Sequence, residues 1–282
     1  MNEIINPKAA ENSPPKPGTP KWALRAAEDF LDQIQLINEV LDLSARGIGV
    51  VTAMPMAINA IAMAKGTMGS EDFENEKNRA GKLAELARRE ISSDFSILHA
   101  QASVSIWAGL ECLVHDIVRD WVCNMPEMLS REPWANLKVR VGEYEPLDAE
   151  QRAAYLEELA DQSVNGPLKQ GVTRFEPLLA TVGLNGIVPD AVRKPLFELQ
   201  QVRNVLVHRR GVADRRLCLA CPWMNLQVGQ RLLISHSAYT GYLDAVYNYT
   251  TELIIRTGEY FGVPNMRKDS TPQLEAVEAR GG

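Results

Sequence analysis

From Phe95 to Trp121 the large apolar residues return every three or four positions, at Phe95, Leu98, Ala102, Ile106, Leu110, Leu113, Ile117 and Trp121. An α-helix advances about 100° per residue, so this spacing gathers them all on one side. The stripe runs for about seven turns and must be covered along its length, which other helices do well. The chain is therefore expected to be mainly α, a helical bundle built around this segment.

The same reading gives the other elements. Leu24, Phe30, Leu31, Ile34, Leu36, Ile37, Val40 and Leu41 mark an amphipathic helix from Trp22 to about Leu43. Glu71 to Glu90 is highly charged, with Leu83, Leu86 and Ala87 on one side, as in a solvated helix. Ser93 is an expected N-cap for the long helix that ends at Asn124 before Pro126. Pro126 to Pro146 reads as loop. Further helices are expected over 148–164, 173–182, 189–208 and 236–260. Between the last two, Leu217–Leu219 and Arg231–Ile234 flank a Pro222–Gly229 turn, which predicts one short β-hairpin.

Five of the sixteen prolines fall in the first twenty residues, among Asn, Lys and Glu. Residues 1–21 and 263–282 are accordingly expected to be disordered, with a helical extension over 22–92 and the bundle domain over 93–262. Gly47 to Ala64 carries no charge over eighteen residues. It holds Pro55 and Asn59 and no Leu or Phe, which suits a packed core or partner-facing helix better than a membrane span. Four cysteines in a chain of this size, with no secretory signal, point to a reducing cytoplasm. Cys218 and Cys221 form a CxxC, which is half a zinc site, and nothing completes it. No metal or other cofactor is expected.

The net charge of −6 means that the protein as a whole does not attract polyanions. Residues 193–216 nevertheless hold seven arginines and lysines against Glu198 and Asp214, a local +5. Within them, Leu196, Leu199, Val202 and Leu206 mark the buried face of a helix, and Arg203 falls inside that arc. A guanidinium there must find a partner or a ligand. Asn204 and His208, four apart, form a polar face beside it, while Arg203 and His208 diverge by about 140°. Both would reach one phosphate most easily if two copies of this helix faced each other across a symmetry axis.

These residue types suit cleavage of RNA. Imidazole can take a proton from a ribose 2′-OH or give one to the leaving 5′ oxygen, and arginine stabilises charge on the phosphate oxygens. Arg209, Arg210, Arg215 and Arg216 would follow the flanking backbone. On the long central helix Glu111 and His115 stand one turn apart, a surface pair or an acid–base pair.

The run Arg203-Asn204-x-x-x-His208, late in an apolar helix, resembles the R-x(4–6)-H signature of the HEPN superfamily. The likeness spans about residues 93–262, including the Trp107-Ala-Gly-Leu-Glu111 helix and a closing helix. It implies a bundle that dimerises, or forms a higher homo-oligomer, with the two motifs face to face. It implies a metal-independent endoribonuclease leaving a 2′,3′-cyclic phosphate, acting as a toxin or in abortive infection and other anti-phage defence, often with a restraining antitoxin or regulatory partner. By position Arg203 and His208 would be catalytic, Asn204 their polar companion and Glu111 an auxiliary. Two alternatives stay open: a noncatalytic bundle binding nucleotides or proteins, with Arg203 and His208 in structural roles, and a membrane-associated regulatory protein.

Overall fold

The computed structural model describes residues 18–164 and 170–263. The stretches expected to be disordered fall largely on residues 1–17 and 264–282, which lie outside the described ones. The described residues form α1 (Lys21–Val51), α2 (Met54–Lys65), α3 (Glu71–Ser92), α4 (Ser96–Asn124), α5 (Val141–Tyr144), α6 (Ala149–Val164), α7 (Phe175–Ala180), α8 (Asp190–His208), α9 (Arg215–Ala220) and α10 (His236–Tyr260). Short 3-10 turns at Pro126–Ser130, Trp134–Asn136, Gly171–Arg174 and Pro222–Met224 join them, so the segment read as loop is in part helical turn.

α4 is the axis of the bundle. Ile106, Leu110, Leu113, Ile117 and Trp121 are buried, along with Trp107, Val114 and Val118, so the apolar face is wider than one stripe. α1, α6, α8 and α10 pack around it. By length and composition α4 could cross a membrane, but half of its most apolar stretch is buried inside the protein, as in a core helix. α1 approaches closely because Gly109 offers no side chain: a Cβ there would stand 2.7 Å from Phe30 Cε2.

The N-cap of α4 is Phe95, two residues later than expected. Ser93 donates its hydroxyl to Glu90 O, and Asp94 and Phe95 both take positive φ to turn the chain out of α3. The Ser96 hydroxyl accepts from Ile234 N and Asp94 Oδ2 accepts from His236 N, which ties this corner to the start of α10.

Two expectations are corrected. Gly47–Ala64 is neither one helix nor core: α1 ends at Val51, α2 begins at Met54, and Val50, Met56, Ile61 and Met63 are more than half exposed. Only Ala62 is buried there. α1 outruns the core, with Leu36, Val40 and Leu43 exposed as well, so little of the bundle reaches the segment to cover it.

The β-hairpin is absent among the described residues. Asp214 caps a helix, its Oδ1 accepting from Leu217 N at 2.8 Å, so Leu217–Leu219 coil into α9. The returning chain pairs instead with residues 211–213, through Leu232 N to Gly211 O, Ala213 N to Gln230 O and one antiparallel bridge, Val212 with Arg231. This clasp has its own small core of Val205, Ala213, Leu217, Cys221 and Leu232. Burial pushes the Cys221 thiol up to about 12, so the second half of the CxxC is a packed apolar group.

Candidate active site

α8 carries the candidate site, and its local sequence explains how. The helix begins after Pro189, and Leu196, Leu199, Val202 and Val205 are buried against the bundle. Arg203 is half-buried at the edge of that face, next to α4. Its Nη2 donates to Glu111 Oε2 at 3.4 Å and its Nη1 to Asn204 Oδ1 at 3.3 Å. Arg174, from the 3-10 turn before α7, donates to the other Glu111 oxygen at 3.4 Å. Glu111 therefore sits between two guanidiniums, with its side chain 20% exposed. Arg203 Nε is buried and has no partner among the described residues.

Glu111 and His115 do not pair. One helical turn separates them, yet each faces another helix: the His115 imidazole meets Glu157 Oε1 of α6 at 2.5 Å. The buried Glu157 carboxylate raises the His115 pKa, against the lowering effect of burial.

His208 is the last residue of α8 and is exposed. It lines a cleft of about 350 Å³ with Gln201, Asn204, Arg209, Asp214 and Arg216. Its imidazole makes no hydrogen bond among the described residues. Asp214 holds the rim in place twice over, capping α9 with Oδ1 and pairing Oδ2 with Arg209 Nε at 3.6 Å. The cleft thus gathers an imidazole, two carboxamides and two guanidiniums against one carboxylate.

Of the residues singled out in the sequence, Asn204, His208, Arg209 and Arg216 share this cleft. Arg203 and Glu111 form a separate ion cluster, and Asn204 is the link, since it lines the cleft while accepting from Arg203. Arg210, at positive φ, turns to a different hollow beside Val207 and Leu233, and Arg215 is exposed at the start of α9 without lining the cleft. Sequence reading missed Arg174 and Asp214. Asp214 carries a usable signal, a capping residue before an apolar run. Arg174 carries none, because its partner is 63 positions away.

Among the described residues no group of three or more His, Cys, Asp or Glu side chains is arranged to hold a metal ion. Comparison with protein-family models, curated proteins and solved structures finds no match for this chain.

Proposed function

We propose that this chain is a metal-independent endoribonuclease of the HEPN type, cleaving RNA at the His208 cleft. The observation that carries the reading is an exposed imidazole without a hydrogen-bond partner among the described residues, sharing one cleft with Arg209, Arg216 and Asn204. Arg209 and Arg216 hold phosphate oxygens, and Asn204 orients the strand. The ribose O2′ attacks phosphorus as an imidazole removes its proton. The P–O5′ bond breaks, and a protonated imidazole gives a proton to O5′, leaving a 2′,3′-cyclic phosphate and a free 5′-hydroxyl.

Two imidazoles are needed if each transfers one proton in the same step, and a facing copy of α8 in a homodimer supplies the second. Arg203, with 28% of its side chain exposed, is open to a phosphate presented by that copy. The biological setting we propose is a cytoplasmic toxin or anti-phage defence protein restrained by a partner.

One observation favours a second reading, a noncatalytic RNA- or nucleotide-binding bundle: both terminal nitrogens of Arg203 are already engaged, by Asn204 and Glu111. A cleavage assay on labelled single-stranded RNA in EDTA separates the two. On the nuclease reading His208→Ala, a change at an exposed position, lowers the rate by about 100-fold or more and leaves the melting temperature unchanged. Equal rates in wild type and His208→Ala, or a strict need for magnesium, refute it. Tight binding with no cleavage establishes the second reading.

A further inference from the structure

The cleft at His208 lies at one end of a helix face whose other end borders a second pocket. Lys194, Phe197, Gln201, Asn204 and His208 follow each other on α8 at steps of three, four, three and four, so they share one helix face. At 1.5 Å per residue the stripe is about 21 Å long, the length of about six nucleotides of a stacked strand. Its far end opens into a second pocket of about 520 Å³, lined by Thr173, Arg193, Lys194, Phe197 and Trp223. Gln170 of that pocket accepts a hydrogen bond from Gln201 of the His208 cleft at 3.1 Å, so one glutamine pair forms the wall between them.

The second pocket has the two things a single strand needs, cations and an aromatic face. Trp223 is 38% exposed, and its ring is fixed from behind, since Nε1 donates to Glu198. The other Glu198 oxygen accepts from Tyr242 OH at 2.6 Å, so that carboxylate faces inward and is occupied. Lys194 Nζ lies 4.5 Å from the centre of the Trp223 ring, and among the described residues Arg193 pairs only with the exposed Asp190. An exposed ammonium gains less from an aromatic face than a nucleobase gains by stacking on it. A nucleotide can therefore take the ring while Lys194 swings to its phosphate.

We propose that the Lys194–Phe197–Trp223 pocket is a base-stacking subsite that holds single-stranded RNA several nucleotides from the His208 cleft, along the same face of α8. The proposal rests on the nuclease reading for the role of the strand, and it is tested without cleavage. The probe is a 2′-O-methylated oligonucleotide of about eight nucleotides, whose blocked 2′ oxygens cannot attack. Of the five tryptophans, Trp107, Trp121 and Trp134 are buried and Trp22 is half-buried, so quenching of tryptophan fluorescence reports mainly on Trp223.

Binding is expected to quench wild-type fluorescence. Trp223→Ala should weaken affinity by about 5- to 100-fold, with Trp223→Phe in between. Lys194→Gln, at an exposed site, should lower the slope of log affinity against log salt by about 0.7. A duplex of the same sequence should bind more weakly and leave fluorescence unchanged. Unquenched binding, equal affinity in Trp223→Ala, an unaltered salt slope in Lys194→Gln or equal binding of the duplex overturns the subsite, whatever the cleavage assay gives. Quenching in a wild type that fails to cleave RNA, together with weaker binding by Trp223→Ala, overturns the nuclease reading and leaves the subsite standing.

Discussion

Replacing Arg203 by Met and Glu111 by Gln, singly and together, measures how firmly the half-buried guanidinium is tied down. The two groups meet at 3.4 Å with side chains 28% and 20% exposed. Coulomb's law at an effective dielectric of about 20 sets a ceiling of about 5 kcal/mol on their attraction. The distance exceeds that of a strong charge-assisted bond, and desolvation opposes the pair, so the net coupling belongs near 1–2 kcal/mol. Arg203→Met also loses the bond to Asn204 but removes the buried Nε that lacks a partner among the described residues, which offsets about 1 kcal/mol.

The net cost of Arg203→Met is then about 1–2 kcal/mol, or about 2–8 °C in melting temperature. Glu111→Gln should cost more, about 2–3 kcal/mol, because it deprives Arg203 and Arg174 of one carboxylate together. Urea unfolding of the four proteins gives the coupling. A value under about 0.4 kcal/mol would mean additive sites and would refute the claim that Glu111 holds Arg203. RNA cleavage measured well below every midpoint then isolates any catalytic part of Arg203 from its structural part.

Other consequences are open to measurement. Because Glu157 raises the His115 pKa, the stabilisation that His115 draws from this pair is full below its unfolded value of about 6.5 and is lost as pH rises through the raised folded value. The unfolding free-energy gap between wild type and His115→Gln should therefore be largest near pH 5.5, about 1–2 kcal/mol, and shrink toward pH 8.5. His99, whose pKa burial lowers, acts in the opposite sense and cancels in that comparison. Arg256 of α10, 6% exposed, donates to both Glu176 oxygens at 3.0 Å and to Leu184 O at 3.1 Å, so Arg256→Met should cost about 2–3 kcal/mol in urea unfolding by leaving the half-buried Glu176 with only Gly186 N and Tyr249 OH as donors among the described residues. Gly109→Ala should cost about 1–2 kcal/mol, the gain in helix propensity being outweighed by the clash with Phe30, and Phe30→Leu in the same background should restore part of it.

What was legible in the sequence is what depends on neighbours along one helix. α8 and α10 begin and end within a residue of where periodicity puts them, and Arg203, expected inside the apolar arc of α8, sits half-buried at its edge. The long segments α1, α4 and α6 were likewise readable as helices. What was not legible depends on distance in the chain. Glu111 chose Arg203 and Arg174 over His115, and His115 chose Glu157, because those partners come from other helices. The hairpin failed at one residue: Asp214 supplies a cap worth about 1 kcal/mol, enough to coil a segment whose apolar residues fit either period. Of the two readings of Gly47–Ala64, core fails and partner-facing stays open, because lack of charge says that a segment can be buried, not that this chain has the surface to bury it.

The arginines along α8 and the clasp are held in two different ways, and the difference assigns them different work. Arg193 pairs with Asp190 and Arg209 with Asp214 in mostly exposed contacts, which are worth about 0–1 kcal/mol and exchange readily for a phosphate. Arg203 is held in a half-buried cluster and gives up more to move. On the nuclease reading proposed above, a strand arriving on this face would be bound first by Arg193, Lys194, Arg209 and Arg216, through contacts that are the same for substrate and transition state. On the same reading Arg203 would leave Glu111 more readily for the charge that builds on the phosphorane oxygens during attack than for a ground-state phosphate. An interaction made only at that point raises the rate of the chemical step and not the affinity for RNA. The carboxylate that restrains Arg203 in the resting protein would thus make its contribution selective for the transition state.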